Sequence, residues 1–390
     1  MYPHQAERLE AGLARLGVHA LVAASPANVA YVTGFRRLSR EPTPGTDVFA
    51  VHARSGTALV IPAIEAPAVM TGDVEVDHVV CHGRLPIEVA ERADAVAHRT
   101  ADIIARSAPS PAEALAAGLR ALGVVDGAVG IDAAALSEST ARTVAERLES
   151  AKLLPATGAF AEARAVKGPY EIECLQQALW RTEEAINEVL GELGSGATER
   201  EATLVYERAL AHRGARPTAT RIAFGANTAL PVMTPGARVL RAGDLVRFHV
   251  GCVFKGYHAE VARMGVLGEP SARHQARYDA VEAGVDAALK AIRPGAPART
   301  VLEAATAAMR ATGIPSVRLE HVGHGVGLDA AEHPRLSTDG PDLEAGMVLA
   351  VEVGVYELGA AGVQVKETVL VNRDGAAVMN RSNRGLVLLD

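Results

Sequence analysis

Cysteine is nearly missing: Cys81, Cys174 and Cys252 are the only three in 390 residues. They are scattered, odd in number, and form no CxxC or Cys/His cluster. This excludes a disulfide scaffold and a structural zinc site of the usual spacing, and predicts reduced, buried thiols. No run of like charge stands out. The formal net charge of −7 lacks the basic surplus of a nucleic-acid binder. No apolar run reaches the ~18–20 residues that a membrane span needs. The start, MYPHQAERLEAGLARLG, has the pattern of an amphipathic helix rather than a signal peptide. These absences predict a cytoplasmic protein with neither nucleic acid nor membrane as partner. No short-period repeat is visible. What is present is ordinary soluble composition, 49% hydrophobic and 22% charged, on a chain long enough for two domains.

In chain order, Leu9, Leu13 and Leu16 share one face of a helix over 6–16. Residues 19–35 suggest a strand, a turn and a second short strand. A loop follows with solvated Arg36, Arg37 and Arg40 among Pro42, Pro44 and Gly45. Paired strands over 47–51 and 57–61, a strand over 74–83, a helix over 86–105 and a strand-to-helix passage over 128–136 complete an α/β domain. Residues 154–158 are the expected linker, which sets domains at 1–155 and 156–390. Beyond it the pattern becomes α+β. A long helix carries the single Trp180 toward the core, and Thr198 with Glu201 forms a capping box for a helix to about 212. Further helices are expected over 272–292 and 300–312. Segments 160–265 and 270–371 each run helix, helix, strand pair, which predicts two halves related by a pseudo-twofold.

Three stretches carry the polar residues that such strands would otherwise avoid. In 347–372, two Val-rich runs flank Gly359-Ala360-Ala361-Gly362, the composition of a β-hairpin. Glu352 and Lys366 stand equally far from Gly359 and should oppose each other, with Gln364 on the same face. In 243–265 a turn centred on Phe254-Lys255-Gly256 should make His249 and Glu260 cross-strand neighbours, with Arg247 and His258 on their face. In HVGHGVGL, residues 321–328, glycines on both sides of His324 leave its imidazole accessible. Convergence of His249, Glu260, His324, Glu352 and Lys366 is the expectation.

Taken together, RAVKGPYEI, FGANTALP, GDLVRFHVG with GYHAEVAR, GHGVGL, EAGMVLAVEVGVY and GVQVKETVLV resemble, in order and spacing, the motifs of the creatinase / prolidase / aminopeptidase P superfamily, peptidase family M24. NVAYVTGF resembles its N-terminal domain. The resemblance covers nearly the whole chain. It implies an α+β pita-bread domain behind a smaller creatinase-type α/β domain. It also implies a homodimer in which Tyr31 or the loop 36–47 reaches the partner's pocket. Peptidases of the family hold two metal ions through Asp, Asp, His, Glu and Glu. Matched one by one, those positions are His249, Glu260, His324, Glu352 and Lys366, so only His324 and Glu352 are kept. Val232 and Ala331 replace the histidines flanking the scissile bond, and Gln364 replaces an Arg. Creatinase shares the fold and works without metal. It keeps counterparts of His324 and Glu352, and has a substrate-facing Tyr at the position of His258. Its catalytic His falls in 224–232, where this chain has none.

The resemblance and its departures imply a metal-independent hydrolase, with no cofactor expected. It would cleave an amide or amidine C–N bond in a small zwitterionic or carboxylate-bearing molecule. The Lys366 ammonium would take roughly the place of the lost metals, held by Glu260 and Glu352, since a charged amine repels a divalent cation. His324 or His249 would be the general base, and Arg247 would grip the substrate carboxylate. His258, Gln364 and Tyr31 complete the substrate-facing set. Two alternatives remain open. His249, Glu260, His324 and Glu352 could bind one Zn, Mn or Fe ion in an Xaa-Pro-type dipeptidase or lyase. Alternatively, the fold could serve a non-catalytic binding protein.

Overall fold

Strands and helices alternate through the first part of the chain. A computed structural model describes residues 1–37, 46–148 and 150–390, so Arg40 and most of the expected cross-subunit loop lie outside the described residues. The chain divides into two units, Met1–Arg164 and Ala165–Asp390. The first unit runs α1 (Pro3–Leu16), β1 (Ala20–Ala23), α2 (Pro26–Thr33), β2 (Phe49–Ala53), β3 (Gly56–Pro62), α3 (Ala66–Thr71) and β4 (His78–His82). It continues with α4 (Ala95–Ala105), α5 (Pro111–Ala121), β5 (Asp126–Ile131), α6 (Glu138–Arg147), β6 (Ser150–Pro155) and α7 (Thr157–Ala165). Its six strands form one sheet in the order β4-β3-β2-β1-β5-β6.

Five expectations for this unit change. Residues 26–33 are helix rather than strand, because the Ser25 side chain accepts from the Asn28 N–H and Pro26 opens the first turn. The helix expected from 86 begins only at Ala95, behind the Asp94 cap. The supposed linker is the end of β6, where Pro155 pairs with Ile131, followed by α7. The Tyr31 hydroxyl donates to the Ala163 carbonyl at 2.9 Å, and Arg164 donates to Asn28 at 2.8 Å. These bonds carry the division to Arg164 instead of residue 155. Tyr31 is fully buried with that hydroxyl engaged, so the unit uses it as a brace and not as a substrate contact. Arg37 pairs with Glu65 at 2.8 Å instead of being merely solvated.

The second unit opens with α8 (Pro169–Glu192), α9 (Glu199–His212), β7 (Arg216–Phe224), β8 (Leu245–Phe254) and β9 (Tyr257–Leu267). It repeats the theme with α10 (Ala272–Ala291), α11 (Ala298–Thr312), β10 (His321–Gly325), β11 (Glu332–Ser337), β12 (Val348–Tyr356) and β13 (Gly362–Asn372), then β14 (Gly375–Val378) and β15 (Val387–Leu389). The Thr198/Glu201 capping box forms as expected. Trp180 does not enter the core. It is 38% exposed, with the Arg181 guanidinium 5.3 Å from its ring centre.

The sheet order β11-β10-β12-β13-β9-β8-β7 has the predicted symmetry. The run β7-β8-β9 mirrors β10-β12-β13, and the halves meet where Lys366 pairs with Ala262. In one half, Ile222, Phe224, Phe248 and Val250 bury with residues of α8 and α9. In the other, Leu349, Val351, Val353, Val363 and Val365 bury with residues of α10 and α11. Side chains of a strand alternate between faces, so the residues between these apolar ones collect on the face away from the helices. That is where the polar groups of both hairpins lie.

Candidate active site

The β12–β13 hairpin pairs Glu352 with Lys366 and Gly354 with Gln364. Lys366 is 1% exposed, and its Nζ lies 2.6 Å from Glu260 and 2.7 Å from Glu352. The second hairpin departs from the expected register. Lys255 and Gly256 take positive φ at its turn, so His249 pairs with Ala262 and Glu260 with Gly251. His249 and Glu260 are diagonal neighbours, and they still meet, His249 Nε2 to Glu260 Oε2 at 3.4 Å. Gly251 permits this, because a Cβ there would sit 2.9 Å from the Glu260 Cγ.

His324 pairs with Ala350, one step along the same face from Glu352. Gly323 lets β10 approach so closely that a Cβ would lie 2.1 Å from the Ala350 carbonyl. His324 Nδ1 lies 3.0 Å from the Gly325 carbonyl. A carbonyl only accepts, so Nδ1 carries the proton and Nε2 keeps its lone pair. By the same logic His249 donates Nε2–H to Glu260, which leaves its buried Nδ1 without a partner.

Electrostatics follow from this packing. Burial alone would raise both carboxyl groups. The His249 hydrogen bond and the Lys366 charge instead hold Glu260 far below its usual range, and Lys366 and His249 bring Glu352 down to about 2. Burial pulls the Lys366 amine down, but the two carboxylates outweigh it and the net shift is upward. Burial, then the Lys366 charge, lowers His324. Burial lowers His249 and His258 as well. The centre is therefore an ionised Glu–Lys–Glu triad beside neutral imidazoles.

Two assignments from sequence change. Arg247 is fully buried, donating to Gln364 at 3.0 Å and to the Leu230 carbonyl at 2.5 Å, with its guanidinium 5.6 Å from the Tyr356 ring centre. Both terminal nitrogens are engaged, so no fork is left for a substrate carboxylate. Gln364 in turn donates to Glu352, so it orients that carboxylate within the protein. The result is a chain of contacts, Arg247–Gln364–Glu352–Lys366–Glu260–His249. His258 lies on the same face, paired with Val253, its Nδ1 unpartnered. Sequence reasoning missed Tyr356, whose position in register with Gly362 was a usable signal. It also missed Arg221, directly across from His249 on β7.

The Lys366 ammonium stands between two of the carboxylates that the family resemblance assigns to metal ions. It takes an oxygen of each. Among the described residues no group of three or more His, Cys, Asp or Glu is arranged to hold one.

Comparison with known proteins gives the family and the fold. The model of metallopeptidase family M24 matches residues 173–373, and that of the creatinase/prolidase N-terminal domain matches residues 5–166. An Xaa-Pro dipeptidase of Pyrococcus furiosus is 30% identical over 227 residues, covering 57% of this chain and 65% of its own. An uncharacterized peptidase of Staphylococcus aureus is 31% identical over 219 residues, 55% of this chain and 62% of its own. The matched region thus spans under two thirds of either relative. An X-Pro aminopeptidase structure from Thermotoga maritima superposes with a TM-score of 0.79 at 22% identity, covering 96% of this chain and 99% of that one. The Pyrococcus furiosus prolidase superposes at 0.76 and 23% identity, covering 96% and 100%. No helix is long and apolar enough to cross a membrane among the described residues. The chain belongs to metallopeptidase family M24, with a creatinase/prolidase-type N-terminal domain followed in sequence by a pita-bread domain.

Proposed function

We propose that this protein hydrolyses the C–N bond of a small, carboxylate-bearing amide. In this reading Lys366 is the fixed cation and His324 the general base. One observation carries it: a buried ammonium with two of its three donors taken by Glu260 and Glu352, on the face that also holds His324. The third N–H is left to polarise a substrate carbonyl. A fixed donor of that kind contributes roughly 10²–10³ to the rate. His324 Nε2 takes a proton from water, and the imidazolium returns it to the leaving nitrogen, a step worth roughly 10²–10⁴. His249, with Nε2 on Glu260 and Nδ1 buried, orients the carboxylate instead of acting as base. The relatives' names, Xaa-Pro dipeptidase and prolidase, favour a peptide bond over the creatinase-type amidine. The creatinase-like specificity is therefore set aside in favour of a dipeptide-class substrate. No step of this mechanism uses a metal ion.

The test is turnover of short dipeptides after dialysis against a chelator. Activity should be unchanged by the chelator and should fall at least ~100-fold in His324→Ala. Activity that is lost on chelation and restored by a divalent ion would overturn the reading, as would full activity in His324→Ala. The pH profile follows from the lowered His324. The base must be neutral to work, so kcat/KM should stay flat through neutrality. It should decline only below the ordinary histidine range of about 6.5, tenfold per pH unit. An acid limb at or above that value would place the base elsewhere.

A further inference from the structure

Resting on that hydrolase reading, we propose that Arg221 recognises the substrate's carboxylate. The β7 ladder pairs Arg221 with His249 and Ala223 with Arg247. Ile222, the next residue along the strand, and Phe224 beyond it are fully buried in the helix-side core, so strand alternation turns Arg221 to the face that holds the triad. Its charge is felt there: it adds to the burial that lowers Arg247. Among the described residues no hydrogen bond or ion pair engages Arg221, in contrast to Arg247, whose terminal nitrogens are committed to Gln364 and Leu230.

A half-buried guanidinium beside a second, fully buried one lacks the counter-charge that most such groups have. A carboxylate supplies it, and its planar pair of oxygens matches the fork of the guanidinium in a way that a lysine would not reproduce. The position also suits the reaction. Arg221 stands across the ladder from His249, which contacts Glu260, which holds Lys366. An anion on Arg221 thus anchors one end of a small molecule on the same face as the ammonium that polarises its carbonyl. The substrate class becomes an amide carrying a free carboxylate, and a substrate whose carboxylate is capped is disfavoured.

Binding tests this independently of turnover. Calorimetry with N-acetyl-proline and with N-acetyl-prolinamide reads the preference for the acid, which should be about 10- to 100-fold in the parent protein. Arg221→Leu should abolish that preference with little change in affinity for the amide, and Arg221→Lys should restore only part of it. With Ala-Pro as substrate, Arg221→Leu should raise KM and leave kcat within a few-fold. A preference that survives in Arg221→Leu, or equal binding of the two probes by the parent protein, overturns the assignment. If the preference is present and depends on Arg221 but no amide is hydrolysed, the carboxylate assignment stands and the hydrolase reading falls.

Discussion

Lys366→Met is expected to remove turnover, by at least ~10²–10³, and to destabilise the protein by about 3–5 kcal/mol. The substitution keeps the volume of the stem but leaves Glu260 and Glu352 facing each other with no cation between them. In the parent protein both carboxyl groups are depressed, Glu352 to about 2. Their contribution to stability is therefore complete above the ordinary carboxylate range and is lost only as pH falls toward those lowered values. Without the ammonium the sign reverses. At least one carboxyl group must hold a proton, its pKa is raised, and the variant loses stability as pH rises. Thermal melts at pH 5 and pH 8 read this directly. The gap between variant and parent should be wide at pH 8 and narrow at pH 5. A variant as stable and as active as the parent at pH 8 would mean that the triad is neither a structural nor a reactive centre.

On the proposed ammonium-centred reading, Lys366→Glu should convert the centre from one that repels divalent cations to one that binds them. Three carboxylates would then stand beside His249 and His324, an oxygen and nitrogen donor set suited to Mn or Zn. Calorimetry with manganese should find no saturable site in the parent protein and one in the variant. Manganese at 100 times its dissociation constant should stabilise the variant by about 2.7 kcal/mol. Native turnover should be absent, because the N–H proposed to polarise the carbonyl is gone. Stoichiometric manganese in the parent protein, or none in the variant, would contradict the ammonium-centred picture.

How far the sequence foretold this site depends on which physical rule was asked to carry each step. Period-two alternation put Arg247, His249, Glu260, Glu352, Gln364 and Lys366 on one face correctly, because the face of a strand residue depends only on parity. Register is more demanding. The Glu352–Lys366 pair followed from a symmetric loop, whereas His249 and Glu260 slipped because the turn is centred between Lys255 and Gly256. Partner choice was not legible at all. Arg247 looked free because nothing local shows that Gln364 and the Leu230 carbonyl, distant in sequence, would take its donors. Arg221 was overlooked for the converse reason: it lies on a strand that was read only as the approach to the hairpin. In the first unit, Ser25-Pro26 was a helix-start signal that went unused, and Pro155 read as a break although a strand can end on it.

The seam where Lys366 meets Ala262 bears on how such a chain can change over time. His249 and Glu260 come from one ribbon and Glu352 and Lys366 from the other, and Arg263 clasps the backbone carbonyls of both Ala262 and Lys366 from behind. Inserting or deleting one amino acid within either ribbon would turn its ionic groups into the oily layer and its valines outward. Length variation is thereby confined to the connecting turns. Within the ribbons themselves, novelty can arise only by exchanging one side chain for another in place.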